Sequence, residues 1–398
     1  MFPLILSNAC IASAIGEGQA ATLSALRAGT TGLTPCRFGA VDLPTWVGEI
    51  RALDDLRLDP QFAGFDCRNN RLAELALRQD GFLAAASAAV ARHGADRIGL
   101  FLGTSTSGIQ QAEHAYLARD RLTGDLPGWF DYARTQSTYS LARYLRARLG
   151  VAGPSMVVSC ACASTAKAFA NAARMIAAGR CDAAIVGGAD SLCLTTLYGF
   201  QSLQLNAEGP CRPFDIARSG ISIGEAAGFV LVQKPSSDSD SAELDIRLLG
   251  VGESNDAHHM SSPHPEGAGA LLAMQRALTA AGLRADDIDY VNLHGTATRA
   301  GDDAEDRAVF ALFGDRTHVG STKGHTGHTL GAAGIVEAII AMLSIRHGLR
   351  PGSPCTQRLD PSLRSRYAIA PATAPIARVM SNSFGFGGNN CSLILGNR

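Results

Sequence analysis

Cys162 is the residue best placed to do chemistry. It stands where the β-like run SMVVSC gives way to an Ala-rich helical pattern, so its sulfur is expected at a helix N-terminus, facing backbone N–H groups. There the helix dipole stabilises a thiolate and draws a thiol below its usual ~8.5, which makes a nucleophile. Taken alone, the same cysteine would read as one more small buried thiol. Three later segments change that: NLHGTATRAGDDAE, GSTKGHTGHTLGAAG and SNSFGFGGNN each set His, Lys or consecutive Gly just after a β-like run. Active sites of α/β proteins collect at such strand ends.

The elements that must hold these residues alternate in an α/β rhythm. IGLFLG, SMVVSCA, a helix from Ser164 to about Ala178, and DAAIVGGAD follow one another. The opening MFPLILSNACIASAIG lacks a cationic leader region and is broken by Asn8 and Cys10, so it reads as a first strand. Apolar residues recur at helical spacing from Leu271 to Leu283, the pattern stopping near Gly282, and the strand DYVNLHG comes next. A polar stretch from Pro235 to Glu243 marks the boundary between two halves, residues 1–240 and 241–398. Each half holds a strand, a turn of small residues and an Ala-rich helix, which hints at an internal duplication.

Composition bounds the function. With 398 residues, 46% hydrophobic and 18% charged, the chain builds a large packed core. A net charge of −1 without long Lys or Arg runs points away from nucleic acid and from a polybasic membrane patch. No segment offers the roughly 18 uninterrupted apolar residues of a spanning helix, and no export signal is evident, so a cytoplasmic protein with reduced thiols is expected. The ten cysteines include no CxxC pair, which indicates neither a disulfide framework nor a zinc site.

On its motifs the chain resembles the β-ketoacyl-acyl-carrier-protein synthases of the elongating type, in the thiolase superfamily. ACAS at Ala161–Ser164 is similar to the nucleophile motif of that family, CRPFDIARSGISIGEAAG at Cys211–Gly228 to its mid-chain signature, and HGTAT and GHTGH to its two histidine motifs. The resemblance implies a thiolase-like α/β fold, two similar halves in a five-layered α-β-α-β-α arrangement. The first half carries the nucleophilic cysteine and the second the two histidines.

It also implies roles. Cys162 takes the acyl group, and His294 and His328 donate N–H groups to the enolate left when malonyl thioester loses carbon dioxide. The amides of Cys162 and Phe386 serve the acyl-side oxyanion, and Phe386 gates the acyl pocket. Lys323 and Glu337 bracket His328, either keeping the histidines neutral or forming an internal ion pair. Thr296 and Thr298 contact a phosphopantetheine arm, with Ser262 as a further contact. Asp302 and Glu305 orient the lysine or the loop, or else lie on a solvated helix start. The segment GTSTSG, with Thr106 and Ser107, lines the acyl pocket near a dimer interface.

The implied partners are acyl- and malonyl-loaded acyl carrier protein and a second subunit, in a homodimer or in a heterodimer with a related chain. No metal or redox cofactor is needed. Arg68, Arg71 and Arg212 are candidates for receiving an acidic carrier. Cys160, Thr165, Asn389 and GTSTSG depart from the family pattern, where Thr, Gly, Thr and a GSGxGG-like run are usual. The rival readings are a synthase of a specialised polyketide or aryl-polyene pathway, a non-catalytic chain-length-factor subunit, and a degradative thiolase.

Overall fold

The computed structural model describes residues 2–39, 41–235 and 245–397. The boundary expected at Pro235–Glu243 therefore lies, Pro235 apart, outside the described residues. One large mixed sheet runs through the molecule. From its middle outward, the first half contributes Leu4–Ser13, Ala226–Gln233, Ala183–Asp190, Ile98–Gly103 and Ser155–Val158. The second half runs the other way through Arg247–Asn255, Asn389–Gly396, Arg378–Gly385, Tyr290–Asn292 and His318–Gly320, with Arg366–Tyr367 at the edge.

The two series repeat one topology. Setting aside the short strands Gly16–Glu17 and Arg366–Tyr367, the strands of this sheet going outward in either half come in the chain order first, fifth, fourth, second, third. The two inner pairings are antiparallel and the two outer ones parallel in both halves. The halves are joined by an antiparallel pairing of Leu4 with Leu248 and Ile5 with Arg247.

The layers follow from which faces are apolar. Ala333–His347 is apolar on every side, and every residue from Ala333 to Ile345 is buried; a helix of that kind belongs inside a fold. Of the described residues, Leu330–His347 alone is long and apolar enough to cross a membrane, and 89% of it is buried here. It packs beside Ser164–Ala177, and the two share a core cluster with residues from both half-sheets. Arg68–Leu77, Phe82–His93 and Ser140–Leu149 cover the outer face of the first half-sheet. Ala268–Ala281 and Arg299–Phe313 cover that of the second. Five layers result, helices outside, the two half-sheets, and the helix pair between them.

The central helices meet closely enough to dictate small residues. A Cβ on Gly334 would lie 2.6 Å from the backbone nitrogen of Ala166. Beside this contact the Thr165 hydroxyl donates to the Gly331 carbonyl at 2.7 Å and accepts from the Ile335 amide at 3.0 Å. The departure from Gly at this position is thus a hydrogen-bonded staple between the halves.

Thr165→Val keeps the shape but leaves a buried carbonyl and a buried amide unpaired, each costing about 1–3 kcal/mol. The variant is expected to unfold at a clearly lower temperature or urea concentration, with a folded-state circular dichroism spectrum like that of the parent.

Candidate active site

Cys162 lies between the strand Ser155–Val158 and the helix Ser164–Ala177, in a turn that the backbone enters under strain. Ala161 has a left-handed φ of 48°, which costs a residue with a Cβ about 1–3 kcal/mol. Ser164 holds the turn: its hydroxyl donates to the Ala161 carbonyl at 2.5 Å and accepts from the Cys160 amide at 2.9 Å. The end of Arg378–Gly385 presses against the same turn, where a Cβ on Gly385 would sit 3.1 Å from the Cys162 nitrogen. That approach carries Phe386 to the sulfur, its amide N–H directed at Sγ.

The second half delivers the histidines. His294 follows Tyr290–Asn292, and its backbone amide donates to Glu305 at 2.8 Å while Gly295 donates to the other oxygen at 2.7 Å. Asp302 takes the amides of Phe214 and Ala297 in the same way. Both carboxyl groups are buried, so the acidic helix start is not a solvated one: these two residues fix the loop. Burial pushes Asp302 up to about 7. His328 is placed by its backbone, donating to Ser222 at 2.7 Å and accepting from Gly224 at 3.0 Å.

His328 Nε2 lies 2.9 Å from Cys162 Sγ. The His294 and His328 rings are 5.2 Å apart and nearly perpendicular. Sulfur and one nitrogen from each ring all fall within 4.8 Å of one another. Behind them Lys323 is bonded to Glu337, and its Nζ lies 3.4 Å from His294 Nδ1. An ammonium there makes Nδ1 an acceptor, which leaves the ring proton on Nε2, toward the open side.

Both readings of the lysine therefore hold at once, as ion pair and as neighbour of a histidine. Burial and then the Lys323 charge hold both histidines well below their ordinary range. Burial raises Glu337 to about 7 against the pull of Lys323. It also raises the Cys162 thiol to about 11, opposed by Lys323 and by the Phe386 N–H. The expectation of a thiol drawn below 8.5 is thus corrected: loss of water outweighs the helix terminus, and the resting group is a thiol with His328 Nε2 against it.

These residues open into a cleft of about 400 Å³, mostly apolar. Cys162, His294, His328 and Phe386 line it, as do Thr296, Thr298 and Ser262. The two threonine hydroxyls are 3.0 Å apart, and Ser262 is exposed at the mouth. Lys323 and Glu337 stand behind the wall. Phe386 packs on Phe200 with centroids 5.7 Å apart.

Thr106 is elsewhere. Its amide and hydroxyl, with Thr104 Oγ1 and the Ser105 amide, bind the buried Asp190 carboxylate, which also receives the Gly331 amide. The GTSTSG run cradles a carboxylate, and Thr106 does not line the cleft. Arg68 is also misplaced for carrier docking: it is buried in an ion pair with Glu225. Arg71 is taken up by Asp66, and Arg212 is half-buried.

Three positions went unassigned in the sequence. Asp190 was detectable as a lone acid ending the wholly buried strand Ala183–Asp190. His325 anchors the turn between Lys323 and His328, its ring nitrogens 2.7 Å from the Thr30 carbonyl and 3.2 Å from that of Gly352. Phe200 has no local signal.

Comparison with known proteins follows the same lines. The β-ketoacyl synthase N-terminal domain matches residues 11–237 and its C-terminal domain residues 246–355. The chain belongs to the β-ketoacyl synthase family. A 3-oxoacyl-[acyl-carrier-protein] synthase 2 of Vibrio cholerae is 31% identical over 98% of both chains. That of Rhizobium meliloti is 37% identical over 75% of this chain and 73% of its own. The mitochondrial synthase of Arabidopsis thaliana is 39% identical, over 62% of this chain and 57% of its own length. Among solved structures, the ketosynthase ApeO of Xenorhabdus doucetiae, in complex with its chain length factor ApeC, superposes with a TM-score of 0.89 at 36% identity, covering 99% of this chain and 98% of that one. The ishigamide ketosynthase/chain length factor gives 0.88 at 27% identity, over 100% of this chain and 99% of that one. The β-ketoacyl synthase fold, with its thiolase-like layering, is therefore shared by this chain and these solved ketosynthases.

Lys323 lowers the Cys162 titration, so removing its charge raises the thiol pKa and shrinks the thiolate fraction. Lys323→Met is expected to slow alkylation of Cys162 by iodoacetamide at pH 8 about tenfold, the equivalent of one pKa unit. In the parent protein the rate should climb with pH toward about 11. An unchanged rate in the variant, followed by intact mass, would separate the lysine from the thiol.

Proposed function

We propose that the chain is a β-ketoacyl-acyl-carrier-protein synthase, an acyltransferase that lengthens an acyl chain by decarboxylative condensation with malonyl-acyl carrier protein in fatty-acid elongation. The observation that carries this is the pair of neutral histidines facing one cysteine sulfur, with a buried lysine behind them. In acyl transfer the Cys162 S–H proton leaves with the thiol of the departing carrier arm as the sulfur–acyl bond forms, and the Cys162 and Phe386 amides meet the oxyanion. Malonyl thioester then loses carbon dioxide, and the enolate oxygen takes N–H bonds from Nε2 of both rings. Each such donor contributes about 3 kcal/mol to the transition state. The enolate carbon attacks the acyl carbon on Cys162 and releases the thiol.

Because the histidines stay neutral across the working range, they donate hydrogen bonds without an added proton. The chemistry uses no metal and no redox cofactor. Three donor atoms within 4.8 Å resemble a metal site, but the Lys323 ammonium beside them repels a cation. Thr296, Thr298 and Ser262 lie along the cleft where the phosphopantetheine arm of the carrier enters.

Two supports bear on the partners. Relatives named as acyl-carrier-protein synthases favour acyl carrier protein as donor of both substrates. The likeness to ApeO, which was solved with its chain length factor, favours a second chain of the same fold as partner, and it is the specific ground for a second reading, a ketosynthase of an aryl-polyene or polyketide pathway. Substrates delivered by carrier proteins, and an apolar helix used up in the core, support a cytoplasmic enzyme.

Intact-mass measurement with a panel of acyl carrier thioesters tests both readings. Acyl mass should appear on the parent protein and not on Cys162→Ala. His294→Ala and His328→Ala should still load but lose condensation by about 100-fold or more, the scale of an oxyanion donor. Chelation with EDTA should leave the rate unchanged. Preference for saturated chains supports elongation, preference for unsaturated or aromatic primers the second reading, and failure to load any acyl group defeats both.

A further inference from the structure

Four side chains of fixed charge line the cleft: Arg218, Asp256, Arg299 and Glu305. Three of them are committed to the protein. Arg218 pairs with Asp302, Asp303 and Asp360. Asp256 accepts from the His264 amide at 2.9 Å and from Asn390 Nδ2 at 2.7 Å. Glu305 holds the amides of His294 and Gly295. Arg299 differs from these. Among the described residues its guanidinium makes one hydrogen bond, from Nη2 to the Ile216 carbonyl at 3.2 Å, and no ion pair. A guanidinium carries five N–H donors, so most of this fork is left without a protein partner.

Its place in the cleft follows from the loop that carries it. His294 is buried, Thr296 and Thr298 are half-buried, Arg299 and Ala300 are exposed, and all five line the cleft. One loop thus marks the way out, from the ring at the sulfur to the guanidinium at the surface. That path is fixed. The Ala297 amide donates to Asp302 at 3.1 Å, and the two threonine hydroxyls meet at 3.0 Å. Arg299 then opens the helix Arg299–Phe313, so regular structure holds the base of a side chain whose tip reaches the mouth.

An arm that brings its thioester to Cys162 and His294 must leave along the threonines and pass Arg299. The charge on such an arm lies at its far end: phosphopantetheine is neutral along its amides and carries its phosphate where it joins the carrier. The malonyl carboxylate, by contrast, stays at the deep end beside the sulfur. The group that meets Arg299 is therefore a phosphate. Its oxygens match the planar fork of an arginine, which binds them through paired, charge-assisted hydrogen bonds.

We propose that Arg299 binds the phosphate of the phosphopantetheine arm, anchoring the thioester by its far end, so that the cleft distinguishes a phosphorylated arm from bare pantetheine. The assignment deepens the synthase reading and rests on it. Because the contact is remote from the reacting atoms, it holds ground state and transition state alike, and its loss raises KM rather than lowering kcat. Because the guanidinium is exposed, salt screens the contact.

Two small donors with the same acyl group, acyl-phosphopantetheine and acyl-pantetheine, test this on the whole chain. Acyl mass on Cys162 is followed over time while the arm leaves as its free thiol. The parent should load from the phosphorylated donor with a kcat/KM about tenfold higher, the scale of one charge-assisted bond. The difference should lie in KM and shrink as salt is raised. In Arg299→Gln the ratio should fall to about one, and Arg299→Lys should keep part of it. Equal loading of the two donors by the parent overturns the assignment and leaves the synthase reading intact, as does a ratio unchanged in Arg299→Gln. Donors that load equally, together with slower loading from acyl carrier protein in Arg299→Gln, place the guanidinium on the carrier's own acidic surface and overturn the phosphate assignment. Where neither small donor loads, inhibition of carrier-dependent loading by phosphopantetheine against pantetheine gives the same ratio. A parent that loads from no carrier either overturns the synthase reading and this assignment together.

Discussion

The buried ammonium of Lys323 governs the protonation of everything around it. A charge in a low-dielectric interior persists only with a partner, and removing one member of such a pair costs about 3–5 kcal/mol. Glu337 supplies the partner from the central helix, and His294 Nδ1 receives what remains of the field. The same charge disfavours imidazolium at His294 and His328 and draws the Cys162 thiol down from where burial alone would hold it. Burial and, after it, this single cation keep two bases neutral, and the same cation eases one nucleophile toward its anion. An unpaired lysine would not stay charged here, and a charged lysine at the surface would be screened.

Holding that arrangement requires strain, and the strain is local. Left-handed residues with a Cβ flank each of the three groups: Ala161 before Cys162, Ala297 after His294 and Leu330 after His328. Each is held by carboxylates or hydroxyls that bind backbone amides. Glu305 takes those of His294 and Gly295, Asp302 that of Ala297, and Asp190 that of Gly331. Arg218 closes the ring, with ion pairs to Asp302, Asp303 and Asp360. These buried acids spend their charge on geometry, which is why they belong beside the chemistry without touching it.

Much of this was legible in the sequence because it was local. A thiol at a strand–helix junction, histidines after strands and a Gly-rich end all announce themselves within a few residues, and the α/β rhythm follows from apolar periodicity. What did not show was pairing across the fold. Arg68 looks like any surface arginine until Glu225, far along the chain, is found against it. Thr106 looks like a pocket residue until Asp190 takes its hydroxyl. Thr165 seemed a mere departure from Gly, and only the neighbouring helix reveals the staple. The thiol was misjudged for a related reason: a helix terminus is visible locally, but the depth of burial that outweighs it belongs to the whole molecule.

The repeated topology explains why the site sits where it does. Each half ends a set of parallel strands at the same level and sends a helix back through the middle, Ser164–Ala177 from one and Ala333–His347 from the other. Their N-termini therefore meet, and positive helix ends converge on one small volume. Cys162 lies at one of these ends and Asp190, through the Gly331 amide, at the other. Neither half holds the reaction alone, since the sulfur comes from the first and both rings, with the lysine and glutamate, from the second. The close contact of Gly334 with Ala166 sets the spacing of those ends, so the packing of two apolar helices fixes the distance across which an acyl group meets its enolate.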